Sequence, residues 1–500
     1  MTEPTPVTPV DAGPDEIEEF LPGRRVAVDD ALRRRLEGVC AVVTDAPDAR
    51  SDASRDWWPV AIGWAANGMV PALPAVVARP TDTAQVSAVV AACAEAGVPV
   101  TAAGGRSGVC GGSVPVHGGV ALDLCGLSGV VAVDETSLVA DVRAGTFGPD
   151  LEAELRSDHG VTLGHWPQSM DLSTVGGWLA CRGAGQYSNR YGKIEDMVLG
   201  LEVVLADGTV VRTGGRGPRA ATGPDLTQLF VGSEGTLGVI TEGRFRVHPL
   251  PPAEGRRAFG FATFADGLDA CRRILRRGAT PAVLRLYDVA ESTRSFDVEG
   301  TNILVVLDEA DPHILDATLR VVDEECAPAD RLDDGLVDHW LERRNDVSAL
   351  APLWRRGAVV DTAEVAGRWA SLPGLYDDVV AAIGAVGGTV AASSHQSHAY
   401  TDGACLYFTF AGLPPEEAPA GWAEQYYTAA WRAINETVLA RGVALSHHHG
   451  IGINRGAYLE AALGGAFGVL TTVKAALDPT GILNPGKLGL PGPFGGQVWP

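Results

Sequence analysis

Short apolar runs, broken by glycine and proline, alternate with helical patterns in the first half of the chain. Residues 74–80 predict a strand that ends in proline, and Thr81 or Asp82 can cap a helix that runs to Gly97 with apolar residues at helical spacing. Residues 98–103 predict the next strand. The pattern is therefore a β-α-β unit that leads directly into a glycine-rich loop.

The chain continues to about residue 250 with short strands and few helices. The predicted strands are 120–124, 130–133, 138–143 and a hairpin of 201–205 with 210–213, and the predicted helix is 149–158. Many short strands with interspersed helices favour an α+β pair of lobes over a long doubly wound sheet.

A Pro-Pro pair at 251–252 marks a linker, and a second domain is predicted beyond it. Its predicted strands are 257–264, 283–287 and 303–307, and its predicted helices are 267–277 and 311–326. This order is typical of a sheet covered by helices on one face. We divide the chain into a disordered or loosely docked arm (1–24), a two-lobed domain (25–250), a cap (251–440) and a C-terminal segment (441–500) that completes the active site.

Composition limits the partners of this protein. Acidic residues number 62 and basic residues 39, which gives a net charge of −23. Such a chain repels nucleic acid and anionic lipid at long range, so nucleic acid is not an expected partner. The sequence has no apolar run long enough for a transmembrane segment, no signal-peptide pattern, and eight scattered cysteines without metal-finger spacing. We therefore expect a cytoplasmic protein with reduced thiols.

Four segments rich in small residues are candidates for ligand binding. They are residues 103–112, residues 164–178, residues 183–196, and residues 222–241. Consecutive glycines let backbone N–H groups converge on one anion, although the first segment alone is as consistent with an ordinary turn. It matches neither a dinucleotide-binding GxGxxG before a helix nor a P-loop. Together the segments suit an extended ligand with a pyrophosphate, a ribityl chain and a wide ring.

Six strings in order carry a more specific resemblance: STVGGW, YGKIEDMV, TGPDL, GSEGTLGVIT, SHHHGIG and LNPGKL. They resemble the flavin domain of the vanillyl-alcohol oxidase and p-cresol methylhydroxylase superfamily. Within it, they are most similar to the alkyldihydroxyacetonephosphate synthases, also called alkylglycerone-phosphate synthases, with their bacterial relatives. The resemblance covers residues 70–490 and implies an α+β fold, in which a two-lobed domain holds FAD beneath an α+β cap.

The resemblance also implies which residues contact FAD. Contacts to the pyrophosphate and ribityl chain would come from Thr101, Ala102, Ala103, Gly104, Gly105, Arg106, Ser107, Pro167, Gln168, Ser169, Met170, Asp171, Leu172 and Ser173. Contacts to the flavin ring would come from Cys181, Arg182, Gly183, Ala184, Glu234, Gly235, Thr236, Leu237, Gly238, Val239 and Ile240. Several relatives attach the flavin through a histidine in the first loop, where this chain has Arg106 and Ser107, so we expect non-covalent FAD.

Tyr407 and the histidine run His447, His448 and His449 are the catalytic candidates. By pattern alone Tyr407 is a core tyrosine, and the resemblance implies an active-site role. Three adjacent histidines cannot all face one point, so at most two are expected to share a site. Acid/base catalysis or substrate contact is favoured over structural packing, because imidazole titrates near neutral pH. No further metal ligands lie adjacent, so we expect no metal.

Substrate contacts are less defined by the sequence. His395 and His398 lie on a predicted strand and are expected to face opposite sides, so that one lines the pocket or both lie at the surface. The family's phosphate-binding arginine falls at or near Leu350 in this chain. Arg343 and Arg344 are therefore candidates to replace it.

The resemblance implies an exchange in ether lipid synthesis. The acyl group of acyl-dihydroxyacetone phosphate would be replaced by a long-chain alcohol through a flavin N5 adduct, with a histidine moving the proton and Tyr407 assisting. Alternatively, the protein is an FAD-dependent dehydrogenase or oxidase of a 2-hydroxy acid or alcohol, since most of the superfamily is redox. A flavoprotein without catalysis is the third hypothesis. We expect a small-molecule or lipid substrate, transient membrane contact if it is a lipid, and a homodimer.

Overall fold

The first domain consists of two lobes and an N-terminal segment. The computed structural model describes residues 8–13 and 16–500. Strands of this part are β1 (Glu18–Glu19), β2 (Val42–Thr44), β3 (Met69–Val70), β4 (Val76–Arg79), β5 (Val100–Ala103), β6 (Val120–Asp123), β7 (Val130–Asp134), β8 (Val139–Arg143), β9 (Val161–Thr162), β10 (Val198–Val204), β11 (Val210–Gly214), β12 (Val239–Arg246) and β13 (His248–Pro249). Helices are α1 (Asp30–Glu37), α2 (Pro47–Asp52), α3 (Pro59–Ala65), α4 (Thr83–Ala96), α5 (Gly148–His159), α6 (Val175–Cys181), α7 (Ser188–Tyr191), α8 (Ile194–Met197) and α9 (Thr227–Phe230).

The first lobe contains the predicted β-α-β unit. Its sheet has the order β2-β4-β6-β5, in which β4 and β5 both run parallel to β6. Helix α4 begins at Asp82, whose side chain accepts a hydrogen bond from Gln85 N–H, and it ends at Gly97 in the left-handed region (φ 63°). Both ends were predicted from the sequence. The second lobe is an antiparallel sheet of order β11-β10-β12-β8-β7, and it includes the predicted hairpin β10-β11.

The cap is built on one antiparallel sheet of order β17-β14-β16-β15-β19-β20-β18. Its strands are β14 (Ala253–Phe261), β15 (Val283–Tyr287), β16 (Asn302–Ala310), β17 (Asp330–Arg331), β18 (Val359–Arg368), β19 (Thr389–Ala399) and β20 (Gly403–Gly412). Its helices are α10 (Phe264–Arg276), α11 (Val289–Phe296), α12 (Pro312–Glu325), α13 (Gly335–Arg343), α14 (Leu350–Arg355), α15 (Leu372–Gly384) and α16 (Trp422–Ala440).

The prediction that helices cover this sheet on one face was wrong. Leu304 and Val306 of β16 pack in the core formed with α10, α12, α15 and α16. Ile303 and Val305 of the same strand pack against α11, α13 and Tyr187 of the second lobe. Because successive residues of a strand face opposite sides, both faces are covered, and the second face joins the cap to the second lobe.

The N-terminal arm is docked rather than loose over the residues that the structure describes. Strand β1 pairs in parallel with β3, and Leu21 is buried. The ring of Phe20 stacks on Trp64 with centroids 4.1 Å apart. Apolar side chains and strand pairing therefore hold the arm, which its acidic, proline-rich composition did not predict. The parts of the arm at 1–7 and 14–15 lie outside the described residues.

The C-terminal segment returns to the first domain. It contains α17 (Gly456–Leu463) and α18 (Gly465–Leu477), and beyond them Leu483 forms a bridge to Val100 of β5. Asn484 Nδ2 donates to the carbonyl oxygens of Gly112 (2.9 Å) and Glu234 (2.7 Å), so one side chain ties the first loop to the fourth segment. Among the described residues, no single helix is long and apolar enough to cross a membrane. Helices α17 and α18, which are bent by 117° at the break between them, are together long and apolar enough by length and composition.

Candidate active site

One cavity of about 460 Å³ is bounded by both lobes, the cap and the C-terminal segment. The predicted residues that line it are Ala102, Ala103, Gly104, Gly105, Arg106, Ser107, Pro167, Gln168, Ser169, Leu172, Ser173, Cys181, Gly183, Ala184, Glu234, Gly235, Gly238, Val239, Ile240, His398, Tyr407, His448 and His449. All four glycine-rich regions predicted to bind one ligand are represented, the third by residues 183, 184 and 186 and the fourth by residues 234, 235 and 238–240.

Six residues predicted to contact FAD do not line the cavity: Thr101, Met170, Asp171, Arg182, Thr236 and Leu237. Met170 and Leu237 point into the core of the second lobe. Thr236 Oγ1 donates to the carbonyl of Ser233. Asp171 is exposed, and Arg182 pairs with Glu195 at the surface. Thr101 lies on β5, and the other five lie in the predicted loops; none of the six lines the cavity, because which residues of a segment face a ligand depends on local backbone geometry.

Close approach of two loops explains the glycines in the first segment. A Cβ atom at Gly105 would lie 2.1 Å from the carbonyl oxygen of Leu172, and one at Gly104 would lie 2.1 Å from Thr174 Oγ1. Neither distance is possible for a real side chain. Glycine at both positions therefore lets the backbone of the first loop pack directly on the second.

Buried polar atoms without a hydrogen-bond partner among the described residues line the same cavity. They include Arg106 Nε, Ser113 Oγ, Asp56 Oδ2 and both ring nitrogens of His165. Burial raises the pKa of Asp56 to about 7 and lowers the pKa of His165 to about 3. Unsatisfied buried groups are costly, so they point to a polar ligand. These donors and acceptors, together with the small-residue loops, fit a pyrophosphate and a heteroaromatic ring.

The histidine loop is wrapped around one buried carboxylate. Glu364 Oε1 accepts hydrogen bonds from Ser446 Oγ (2.6 Å) and from the backbone N–H groups of His447 (3.1 Å), His448 (3.0 Å) and His449 (2.7 Å). Its other oxygen pairs with the fully buried guanidinium of Arg455. Burial alone would raise the pKa of Glu364, but Arg455 and the neighbouring groups hold it well below its ordinary value. The ion pair thus fixes the backbone from which all three rings project.

The three rings occupy different positions. His448 and His449 line the cavity, whereas His447 does not. Tyr407 also lines it, with its ring centroid 6.0 Å from that of His448 and 5.4 Å from that of His449. The Tyr407 hydroxyl accepts a hydrogen bond from Thr362 Oγ1 (2.9 Å), and burial raises its pKa. The structure therefore brings Tyr407 together with two of the three histidines.

The expectation that His395 and His398 face opposite sides was wrong. On the neighbouring strand β20, their partners are Tyr407 and Cys405, which are two residues apart and share a face. A register shift between Gln396 and His398 inserts one extra residue into β19. Both histidines consequently lie on the side of the sheet that carries Tyr407, and both are buried.

Arg285 is a buried cation at the cavity that sequence reasoning missed. It lies on β15, it is 8% exposed, and its Nη2 is 2.7 Å from His395 Nε2. Its position within an otherwise apolar strand, Val283–Tyr287, was the available signal. The substitutes predicted from sequence lie elsewhere: Arg343 is exposed, and Arg344 lies over the rings of Trp166, Tyr187 and Trp340. Leu350 lines the cavity and brings no charge.

The three histidines of the loop 447–449 are held neutral. Burial lowers the pKa of His447 to about 4, and lowers the pKa values of His448 and His449 below their ordinary value. A neutral imidazole can accept a proton, and a protonated one cannot.

We therefore expect the acid limb of the rate–pH profile to lie below pH 6.5. The histidine base stays neutral, and hence active, as the pH falls through the ordinary histidine range, because burial lowers the pKa values of His448 and His449; activity is lost only at lower pH. The measurement is kcat/KM against pH between 4 and 8, with protein integrity followed by circular dichroism at each pH. An apparent pKa of 6.5 or higher on the acid side contradicts the expectation.

Nitrogen atoms of His398, His447 and His448 lie within 4.8 Å of one another, close enough to surround a metal ion. Several of them already have partners: His398 Nδ1 lies 2.9 Å from Ser188 Oγ, and the Nδ1 atoms of His447 and His448 lie 2.8 Å apart. His398 is distant in sequence from His447 and His448, so ligands adjacent to the histidine run could not predict this cluster. The absence of a metal stays a prediction.

Two protein families match most of the chain. Residues 74–214 match the FAD binding domain, and residues 250–488 match the C-terminal domain of FAD linked oxidases. The uncharacterized FAD-linked oxidoreductase YgcU of Escherichia coli O157:H7 is 33% identical over 439 residues, with 83% of this chain and 89% of that protein covered. The alkyldihydroxyacetonephosphate synthase of Dictyostelium discoideum is 30% identical, with 84% and 74% covered.

Two solved structures superpose on nearly the whole chain. A structure of alkyldihydroxyacetonephosphate synthase superposes with a TM-score of 0.78 at 25% identity and covers 96% of this chain and 88% of that one. p-Cresol methylhydroxylase superposes with a TM-score of 0.74 at 17% identity and covers 94% and 99%, which shows the fold alone. The predicted fold class, a two-lobed FAD-binding domain of p-cresol methylhydroxylase type with an α+β cap, is confirmed.

Proposed function

The chain belongs to the family of FAD-linked oxidases and is an FAD-dependent enzyme, and from this premise we propose that it catalyses a synthase-like exchange. Its substrate would be an acyl ester of dihydroxyacetone phosphate, whose acyl group a long-chain alcohol replaces. FAD, when bound, supplies the electron-accepting ring. The glycine-rich loops, Arg106, Ser113 and His165 would hold it.

An apolar wall of the cavity is the observation that carries this proposal. Val347, Leu350 and Leu353 line it from α14 and the loop before it, and Trp57 and Pro59 line it from the start of α3. A long alkyl chain is stabilised by about 0.8 kcal/mol for each CH₂ group removed from water. A small hydroxy acid would gain nothing from such a wall, so a substrate with a hydrocarbon chain is favoured.

The polar end of the substrate would bind at Arg285. This guanidinium is buried, and it lies beside His395 on the same sheet as Tyr407. A guanidinium in such a place binds phosphate or carboxylate through charge-assisted hydrogen bonds. The neutral His448 or His449 would then take the proton from the substrate, and Tyr407 would orient it.

Non-covalent FAD is part of the proposal. The first loop offers Arg106 and Ser107, and the nearest histidine in sequence, His117, does not line the cavity. Its Nδ1 lies 3.4 Å from the carbonyl of Arg24, and its ring lies 5.9 Å from that of Phe494. The cytoplasmic location, the homodimer and transient membrane contact stay predictions.

A redox reaction on a 2-hydroxy acid is the second candidate, and one observation favours it. Leu350 stands where the family has its phosphate-binding arginine. Among the described residues of the cap, Arg285 is therefore the one buried cation that lines the cavity. One buried guanidinium suits a single carboxylate. The substrate's hydroxyl proton would then pass to a histidine.

Anaerobic absorbance of the purified protein separates the two candidates. Palmitoyl-dihydroxyacetone phosphate and a panel of 2-hydroxy acids are added separately. Bleaching by the ester, with fatty acid released and no electron acceptor consumed, is the expected result. Bleaching by a hydroxy acid that oxygen or a dye reverses would instead make this a redox enzyme.

Replacing Arg285 with methionine is expected to lower kcat/KM roughly 10-fold or more, mainly through KM, because a charged hydrogen bond contributes about 1.5–3 kcal/mol. Methionine keeps most of the apolar stem. The measurement is steady-state kinetics on the substrate that bleaches the flavin. Arg343→Met is the matched control, since Arg343 is exposed and does not line the cavity. Equal KM values for both variants would remove Arg285 from substrate binding.

A further inference from the structure

A continuous chain of hydrogen-bonding groups leads away from the cavity behind the histidine loop. His448 lines the cavity, and its Nδ1 lies 2.8 Å from Nδ1 of His447. The other nitrogen of His447, Nε2, lies 2.7 Å from the hydroxyl of Tyr400. Both distances are within hydrogen-bond range. Because an imidazole can accept a proton at one nitrogen and donate at the other, the chain is unbroken from the cavity to Tyr400.

A second branch reaches the same hydroxyl. His398 lines the cavity, and its Nδ1 lies 2.9 Å from Ser188 Oγ, which in turn interacts with Tyr400. The ring of His398 stacks on that of His447 with centroids 4.8 Å apart. Two histidines at the cavity therefore converge on one phenol outside it.

Tyr400 lies at the outer end of this chain. It follows β19, it is partly exposed, and the ammonium group of Lys193 lies 4.7 Å above its ring. Lys193 pairs with Asp196, whose side chain is 48% exposed. Tyr400 thus lies between the buried histidines, which its hydroxyl contacts, and a surface ion pair whose ammonium group lies over its ring.

The groups along the chain are suited to pass a proton rather than to keep it. Burial holds the pKa values of His447 and His448 below the ordinary histidine value. Glu364 lies under the loop, but its oxygens are taken by backbone N–H groups, Ser446 and Arg455. Neither histidine therefore has a carboxylate free to trap the proton on its ring.

We propose that His447 and Tyr400 form a proton relay between the histidine base and solvent. A proton enters at His448 Nε2, the proton on His448 Nδ1 moves to Nδ1 of His447, the proton on His447 Nε2 moves to the Tyr400 oxygen, and the Tyr400 hydroxyl proton leaves to water. One proton enters and one leaves, and no electrons move. Neither His447 nor Tyr400 touches the substrate. The relay rests on the proposed function and takes His448, of the two candidates His448 and His449, as the base.

Tyr400→Phe in the FAD-loaded enzyme tests the relay, because it removes one oxygen and keeps the ring against His447. We expect turnover to fall roughly 10-fold in dilute buffer that carries protons poorly. Added imidazole should restore the rate in a saturable manner, as small buffers replace the missing exit. Tyr376→Phe is the matched control: its hydroxyl donates to Asp288 in the cap, and it does not line the cavity. Neither this variant nor the parent protein should depend on imidazole.

NMR of protein labelled with ¹⁵N-histidine gives a readout without turnover. In the parent protein, His447 should carry its proton at Nε2 and His448 at Nδ1; Tyr400→Phe should shift the His447 tautomer. A His447 tautomer that is the same in Tyr400→Phe as in the parent protein would overturn the relay. A Tyr400→Phe rate that equals the parent rate in dilute buffer would overturn it as well. So would a stoichiometric metal whose removal abolishes activity, since it would occupy the same nitrogens. If no substrate bleaches the flavin, the proposed function fails, and the tautomers still decide the relay.

Discussion

Glu364→Gln is expected to lower the free energy of unfolding by about 3–5 kcal/mol, because it leaves Arg455 as an uncompensated buried charge. Both side chains are fully buried, and glutamine keeps the volume of glutamate. The same change should lower kcat by roughly 100-fold or more, since three backbone N–H groups lose the carboxylate that positions the histidine rings. Urea unfolding measures the first effect, and steady-state kinetics measures the second.

Two variants make this prediction specific. Glu95→Gln breaks an ion pair with Arg35 in which both side chains are exposed, and it should leave the unfolding midpoint close to that of the parent protein. Combining Glu364→Gln with Arg455→Met should cost less than the sum of the two single changes, because the two residues form one unit. A parent-like unfolding midpoint for Glu364→Gln, with parent-like kcat, would show that the ion pair does not organise the loop.

Gly105→Val is expected to weaken FAD binding roughly 100-fold, so that the protein purifies with little yellow colour. The new Cβ would meet the carbonyl oxygen of Leu172, which is backbone and cannot rotate away. The two loops must separate, and overpacking of this kind costs about 1–3 kcal/mol, occasionally more. The measurement is the ratio of flavin to protein absorbance after purification, followed by titration of the apoprotein with FAD.

The matched control is Gly217→Val, at a glycine with open space around it. It should bind FAD like the parent protein. Far-UV circular dichroism of both variants separates loss of flavin from loss of fold. A Gly105→Val protein that retains stoichiometric flavin would show that the close contact between the first and second loops does not shape the flavin site.

The sequence by itself determined most elements and the ligand class. Local signals were sufficient for α4, because Asp82 and Gly97 act within one turn of its ends, and for the glycine-rich loops, because backbone access depends on the residues present. The string SHHHGIG likewise identified His447, His448 and His449 as candidates without any knowledge of their neighbours.

Only the tertiary structure decided how those candidates are arranged. The facing of His395 and His398 depends on a bulge that strand alternation does not reveal. Arg285 acts at the site through His395, which is 110 positions away in the sequence. Glu364 acts through Ser446 and Arg455, which are 82 and 91 positions away. The N-terminal arm is held by pairing with β3. Each of these features results from packing between distant segments, and the energy of such contacts is not encoded in any local stretch of sequence.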